Sequence, residues 1–285
     1  MLPFLRHHPL AVFVSLTYAF SWLCWLPVLD RVQSNPFKSD PDVILRLLLG
    51  GWGPTLSALL LGGLTGGWAG VRSLLARCKP RGIRPSTLLL ALAWNPVVAV
   101  IAVGGYIVAG GEFGYIHWPA LLWVPVMFIA VSIFGPLGEE LGWRGVALPE
   151  LLRTLSPARA SLLLGVIWTF WHTPLMWAAA GTSISGQPVT LLNIAAYLAS
   201  VTASSFIFTW LHLRGRGNVL VAVLAHVSLN GTSVALGFLL PELGAGSHVL
   251  WLFSSAVTAA MALALGPTLR QLRGAAADSA APVSA

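Results

Sequence analysis

Two adjacent glutamates followed by an arginine form the first group of residues that could do chemistry. Glu140 lies four residues before Arg144, so on a helix the two side chains share a face and are expected to form an ion pair. Glu139 is rotated by about 100° from Glu140 and has no such partner. We therefore predict that Glu139 faces a polar cavity, where its carboxylate can act as a general base. The alternative is that both acids only mark the cytoplasmic end of a helix.

An aromatic residue and a histidine form the second group. Trp168 and His172 are four residues apart within an apolar run, which places them on one face of a helix. Pro174 follows, and a kink there would free backbone groups and make room for water. A lone histidine on an apolar helix is also compatible with a packing role.

A histidine and an asparagine form the third group. His226 and Asn230 are again four residues apart in a later apolar run, and both side chains can donate hydrogen bonds. Seen alone, the pair could be a polar contact that holds helices together. Seen with the other two groups, it completes a set that could hydrolyse an amide. A carboxylate takes a proton from water, a histidine helps to hold that water, and a His–Asn pair donates to the developing oxyanion.

Composition indicates that membrane helices position these residues. The 285 residues are 56% hydrophobic and 9% charged, whereas soluble domains carry about 25% charged residues. Mean hydropathy is +0.81. Only helices or closed barrels span a bilayer, and the apolar runs here are continuous, so we predict an all-α polytopic membrane helical bundle.

The chain divides into about eight runs long enough to cross a bilayer, which takes about 20 apolar residues. The runs lie near 10–29, 43–64, 87–109, 118–139, 158–180, 189–213, 219–240 and 249–269. The first lacks a cleavage site, so we expect an uncleaved helix. We predict one membrane domain over 1–275 with the three groups in a core at about 118–240. An Ala-, Ser- and Pro-rich tail at 276–285 is expected to be disordered.

The charges predict the orientation. Most of the 16 lysines and arginines fall in loops on one side of the bundle, and only Arg31 and Lys38 lie in the opposite loops. The positive-inside rule then puts both termini in the cytoplasm of a multi-pass protein of the cell (inner) membrane. The basic residues are therefore interpreted as topology signals, and no nucleic-acid partner is expected. Cys24 and Cys78 are too far apart to indicate a disulfide framework or a metal site.

The three groups, in this order, resemble the motifs of the CPBP intramembrane proteases. That family includes the type II CAAX prenyl endopeptidases and bacterial proteins linked to bacteriocin self-immunity. The resemblance covers about 40–235 and is densest over 130–231. It extends to the Gly-Pro-Thr segment at 53–55 and to the basic turn at 210–218, and every motif position is kept.

The resemblance implies an intramembrane endopeptidase that cleaves a CAAX-type or related membrane peptide. Its partners would be the lipid bilayer and a membrane-associated peptide or protein substrate, which is prenylated in the CAAX members. Glu139 and His172 would activate water, and His226 and Asn230 would stabilise the oxyanion. The supporting residues would be Glu140, Arg144 and Trp168.

Metal dependence is open at this stage. Two histidines and a glutamate could bind zinc, and the family has been called metalloprotease. The chain has no His-Glu-x-x-His motif and asparagine is a poor zinc ligand. We therefore favour a glutamate-dependent, metal-free mechanism with no cofactor.

Three other functions stay open: a membrane transporter, a non-catalytic membrane scaffold, and a member of the resembled family that has lost catalysis. Buried polar residues also line transport pathways or join membrane scaffolds, although here they cluster in the fourth, fifth and seventh runs.

The helical distance from Pro157 to His172, about 22 Å, exceeds the apparent depth of Glu139. Either the fifth helix begins below the membrane, or the fourth extends past Arg144 toward Pro149, and we expect some of both.

Overall fold

The structure, a computed structural model, describes residues 7–33, 38–112, 114–178, 189–242 and 248–272. The predicted tail at 276–285 lies outside the described residues. Eleven α-helices are described: α1 Pro9–Trp25, α2 Pro41–Gly51, α3 Gly53–Ala76, α4 Pro85–Val108, α5 Val124–Phe134, α6 Pro136–Gly142, α7 Leu148–Leu152, α8 Pro157–Trp171, α9 Leu191–Arg214, α10 Val219–Leu239 and α11 His248–Gln271. Short 3₁₀ segments follow α1 and α8 and precede α5, and a π-helical turn joins α6 to α7.

The helical bundle predicted from the sequence is confirmed. Six described helices are long and apolar enough to span a membrane, and a seventh span results if the bent pair Trp118–Phe134 and Pro136–Leu152 counts as one. The remaining predicted run forms α8, which has only 15 residues before it tightens into the 3₁₀ segment Thr173–Trp177. The protein is therefore a multi-pass membrane protein, and the predicted number of about eight spans is approximate.

Helix α3 reverses its direction at Gly67. Gly67 has φ +59° and ψ −150°, and a Cβ on Gly70 would stand 2.3 Å from the carbonyl oxygen of Gly62. Residues eight apart in a straight helix are about 12 Å apart, so the two halves of α3 fold back on each other. Arg72, one of the basic residues that were expected in loops, lies in the returning helical half.

Glycines bring the helix that carries the glutamates against the start of α3. A Cβ on Gly138 would stand 2.7 Å from the carbonyl oxygen of Gly51, and a Cβ on Gly142 would stand 2.5 Å from that of Pro54. Small residues four apart let membrane helices approach this closely. Glu139 and Glu140 therefore lie on a helix whose depth and rotation are fixed by backbone contact.

Each of four prolines lacks the backbone N–H that would bond to the carbonyl oxygen four residues earlier in a helix. In each case a polar side chain donates a hydrogen bond to that carbonyl instead. An unpaired carbonyl is costly where water is absent, which explains these substitutes. The prolines are Pro54, Pro96, Pro149 and Pro174. Ser21 donates to Gly50 (2.7 Å), Ser228 to Leu92 (2.7 Å), Arg77 to Gly145 (3.0 Å) and Thr173 to Phe170 (2.6 Å).

The fourth run bends and then continues well past Arg144. The two parts meet at 42°, with the break at Gly135 before Pro136. Beyond the glutamates the chain stays helical through the π-helical turn Trp143–Ala147 and α7, ending at Leu152. Of the two explanations for the depth of Glu139, the structure thus shows the extension of the fourth helix.

Candidate active site

Two indole groups hold one oxygen of the Glu139 carboxylate. Glu139 Oε2 accepts hydrogen bonds from Trp168 Nε1 at 2.7 Å and from Trp143 Nε1 at 3.3 Å. Trp143 lies one helical turn after Glu139, and Trp168 comes from α8. Glu139 is only 5% exposed and lines a cavity. These contacts fix the orientation of a carboxylate that has no ion-pair partner among the described residues.

The neighbouring glutamate joins two helices through a buried ion pair. Glu140 Oε1 accepts from Arg144 Nη1 at 3.0 Å, as the spacing predicted, and lies 2.8 Å from Nδ1 of His226. Arg144 is fully buried, with its guanidinium 4.7 Å from the ring centres of Trp168 and Phe208. The charge is therefore compensated by one carboxylate and two aromatic faces. Glu140 thus orients His226 as well as stabilising its own helix.

His172 is the residue that follows the last turn of α8. Its Nδ1 lies 2.9 Å from the carbonyl oxygen of Trp168. Because a carbonyl only accepts, Nδ1 carries the proton and Nε2 of the neutral ring keeps its lone pair. His172 lines the same cavity as Glu139, so this lone pair is available to accept a hydrogen bond from a water there.

Asn230 and Glu139 flank a small space that Gly135 leaves open. A Cβ on Gly135 would stand 3.1 Å from Asn230 Nδ2 and 3.5 Å from Glu139 Oε1. Oε1 is the oxygen that the two indoles do not contact. The break between α5 and α6 therefore creates room between a carboxylate oxygen and an amide donor.

One cavity of about 570 Å³ collects the predicted residues, a size typical of ligand pockets. Its lining includes Glu139, Trp168, His172, His226 and Asn230. The structure thus brings together all four predicted catalytic residues and the supporting tryptophan. The other two supporting residues, Glu140 and Arg144, lie behind the cavity wall and are fully buried.

The spacing of the described side chains at this site gives no support for a zinc ion. Among the described residues, no group of three or more His, Cys, Asp or Glu side chains could hold a metal. Structural and catalytic zinc sites have at least three protein ligands.

Sequence reasoning missed several residues of the site. Trp143 follows Glu139 by four residues, so the helical rule used for Glu140 and Arg144 could have identified it. Asn95 and the serines and threonine of α9 and α11 also line the cavity. The statement that buried polar residues cluster in the fourth, fifth and seventh runs is therefore incomplete.

The fold and the site define a polytopic helical membrane protein with a buried carboxylate, two histidines and an asparagine around one cavity. Residues 120–232 match the family described as type II CAAX prenyl endopeptidase Rce1-like. The chain is also 33% identical over 110 residues to CAAX prenyl protease 2 of Methanococcus maripaludis. That alignment covers 38% of this chain and 39% of the relative, so the chain spans about two fifths of the length of the relative that it matches. The family that matches residues 120–232 is the one that the motifs in the sequence resemble, which confirms that resemblance.

Proposed function

We propose that this protein is an intramembrane endopeptidase in which Glu139 activates the attacking water. The main support is the geometry of its carboxylate. Two indoles hold Oε2, and Oε1 shares the space at Gly135 with the amide of Asn230. A carboxylate held in this way can take a proton at one oxygen without changing its orientation.

In the proposed reaction, water lies between Glu139 and Nε2 of His172. The water oxygen attacks the carbonyl carbon of the scissile bond while one of its protons passes to Glu139. The tetrahedral intermediate collapses as Glu139 returns this proton to the leaving nitrogen, which departs as an amine. The products are a carboxylic acid, which keeps the second proton of the water, and an amine. Transfer of that proton to the amine leaves a new carboxylate and a new charged amino terminus, so all atoms and protons are accounted for.

Asn230 and His226 would stabilise the oxyanion of that intermediate. The Asn230 amide can donate without changing its protonation state. His226 has Nδ1 directed at Glu140, so Nε2 donates only when the ring carries both protons. The proposal therefore assigns the protonated ring of His226 to the oxyanion step, with Glu140 on the opposite nitrogen.

The proposed mechanism uses no metal and no cofactor. The donor set described above supports this, since it lacks three convergent ligands. Activity that survives 1,10-phenanthroline and EDTA is the expected outcome. Loss of activity in chelator, restored by added zinc, would contradict the metal-free mechanism.

The proposed substrate is a membrane-associated peptide or protein of the CAAX type or a related type. The name of the relative, CAAX prenyl protease 2, and the family of residues 120–232 support this class. The test is cleavage by the full chain in detergent of farnesylated CAAX peptides and of unmodified membrane-segment peptides. Mass spectrometry of the products would locate the cleaved bond.

Glu139→Gln and His172→Ala are expected to lower kcat by at least about 100-fold, as loss of a general base does. Glu150→Gln is the matched control, because Glu150 lies on the same helical run and pairs with Arg153 at the surface. Equal cleavage by wild type and Glu139→Gln would contradict the assignment. If no form cleaves any peptide, transport becomes the function to test.

A further inference from the structure

The cavity extends from Glu139 to α11, a helix outside the segment that matches the family. Trp251, Ser254, Ser255 and Thr258 all line it. Their spacing of three, four and seven residues places them on one face of α11. The family match ends at residue 232, so this face is a feature of the chain beyond that match.

Polar residues of α9 and α4 line the cavity together with this face. Ser200 and Ser204 are one turn apart on α9, and Asn95 comes from α4. Ser204 is only 2% exposed. We call Asn95, Ser200, Ser204, Ser254, Ser255 and Thr258 the hydroxyl wall.

Three members of the hydroxyl wall present acceptors to the cavity. Ser255 donates its proton to the carbonyl of Trp251 (2.9 Å), and Thr258 donates to that of Ser254 (2.8 Å). The amide of Asn95 donates to the carbonyl of Leu229 (3.1 Å). A hydroxyl or amide whose proton is used in this way keeps oxygen lone pairs for a ligand. Buried polar groups are normally satisfied, so the wall is suited to a ligand that brings its own N–H donors.

The rest of the cavity has a different character. Trp25, Ile44, Leu47 and Leu175 give it an apolar side. A hydrocarbon chain can use this side but offers no hydrogen bond to the hydroxyl wall. A polypeptide in extended form offers N–H groups at regular intervals, and those groups need acceptors where water is excluded.

We infer that the hydroxyl wall binds backbone N–H groups of the substrate polypeptide next to the bond that is cut. This inference rests on the proposed function, since it takes the substrate to be a peptide held beside Glu139. The serine and threonine oxygens would accept hydrogen bonds from the peptide backbone and not from its side chains, so the wall would bind peptides of varied sequence. An isoprenyl group would then lie on the apolar side of the cavity.

The experiment measures peptide binding without cleavage. The full-length Glu139→Gln protein in detergent is titrated with a fluorescent farnesylated CAAX peptide and with its unfarnesylated form. Each is compared with depsipeptides in which one backbone N–H at a time is replaced by an ester oxygen. We expect one or two of these esters to weaken binding about fivefold to tenfold, the size of one lost hydrogen bond.

The same titrations are repeated after the hydroxyls of α11 are removed. The double variant Ser255→Ala/Thr258→Val should bind the amide peptide about as weakly as the unsubstituted protein binds the ester peptide. Its affinity for the ester peptide should be no lower than that of the unsubstituted protein. Thr268→Val is the matched control, because Thr268 also bonds its own helix (2.8 Å to Leu265) but does not line the cavity. Ser204→Ala and Ser205→Ala form a second pair on α9, since only Ser204 lines the cavity. Size-exclusion chromatography confirms that each variant stays folded.

Each outcome decides the inference. If esters and amides bind equally, or if the penalty of the ester is the same with and without the α11 hydroxyls, the wall does not bind the backbone. If no peptide binds at all, the inference is also overturned, and the hydroxyl wall contacts only water. If binding depends on the hydroxyls while wild-type protein cleaves nothing, the wall still binds peptide backbone, and it is the proposed protease function that fails.

Discussion

Glu139 and its neighbour Glu140 differ in their partners. Glu140 contacts Arg144 and His226, whereas Glu139 is contacted only by the indoles of Trp143 and Trp168 among the donors described. An arginine partner would compete with any proton that the carboxylate must receive. Neutral N–H donors fix the carboxylate without supplying a full opposite charge, which suits a group that must alternate between two protonation states.

Trp168→Phe tests this role of the indoles. The variant keeps an aromatic ring beside Arg144 but loses the 2.7 Å bond to Glu139. A hydrogen bond to a charged group is worth about 1.5–3 kcal/mol, so kcat should fall by about 10-fold to 100-fold with KM nearly unchanged. Steady-state kinetics of peptide cleavage measures this split.

Trp94→Phe is the control for that variant. Trp94 is as buried as Trp168 and donates its indole proton to the carbonyl of Ala225 at 2.9 Å. Its loss should reduce stability without changing kcat. If both variants reduce kcat equally, the indole of Trp168 has no special role in orienting Glu139.

Gly135 is the second residue on which the site depends. In Gly135→Ala the new methyl would stand 3.1 Å from Asn230 Nδ2 and 3.5 Å from Glu139 Oε1. It would occupy the space where the proposal places the reacting groups. We expect kcat/KM to fall at least about 10-fold, since small misplacements of reacting groups are costly.

Gly104→Ala is the matched variant for Gly135→Ala. A Cβ on Gly104 meets nothing within 4 Å, and the residue lies inside α4. Alanine favours helix more than glycine does, so this change should be neutral or slightly stabilising. Full activity in both variants would show that the space at Gly135 is not used in the reaction.

At the scale of elements, the bent fourth run explains how a carboxylate reaches the middle of the bundle. Pro136 and Gly135 break the run, and the π-helical turn and α7 continue it to Leu152. Pro149 would leave the carbonyl of Gly145 unpaired, but Arg77 donates to it at 3.0 Å. Burial lowers the pKa of Arg77, yet a guanidinium stays charged at physiological pH. The basic loop therefore stabilises the helix that carries the glutamates.

Arg77→Met should reduce thermal stability, because a buried carbonyl loses its donor. The expected loss is about 1–3 kcal/mol, which corresponds to a lower midpoint in a thermal melt followed by tryptophan fluorescence. Arg72→Met is the control, because Arg72 is exposed and its substitution removes the same charge from the same region. Equal melting of the two variants would show that the bond from Arg77 to Gly145 contributes nothing measurable.

The elements also show what the sequence could and could not predict. Apolar length predicted the helical bundle, although the run 43–64 is divided between two helices and the run 158–180 forms a helix of only 15 residues. Helical spacing correctly paired Glu140 with Arg144. The reversal at Gly67 lies just beyond the predicted end of the second run at residue 64, but the helix that returns from it to Ala76 was not predicted. The contact between Glu140 and His226 joins residues 86 apart in the chain, so no local rule could reveal it. The serines and threonine of α11 were passed over because hydroxyls that bond their own helix are common in apolar runs.

At the scale of the whole molecule, two basic segments meet at one end of the bundle. Asn218 donates to the carbonyl of Lys79 at 2.6 Å, and the backbone N–H of Val219 donates to that of Arg77 at 2.9 Å. These bonds hold the loop after α3 against the turn before α10. The contact supports the proposal that both segments face the same compartment, the cytoplasm.

Fusion reporters test this orientation. Green fluorescent protein joined to the carboxyl end of this chain should fluoresce in a bacterial host, whereas alkaline phosphatase joined there should be inactive. A phosphatase inserted at Lys38 should be active, since this residue lies in a predicted outer loop. The reverse pattern at both positions would invert the proposed topology.

The hydrogen bond from Trp168 to Glu139 also gives the protein an internal optical probe. The vibrational frequencies of an indole depend on the strength of its N–H bond, so the ultraviolet resonance Raman spectrum of Trp168 reports on the carboxylate. The chain has 13 tryptophans, and a difference spectrum between wild type and Glu139→Gln would isolate the two that contact this group. Substrate binding could then be followed at the reacting carboxylate itself, in a lipid bilayer and without any attached dye.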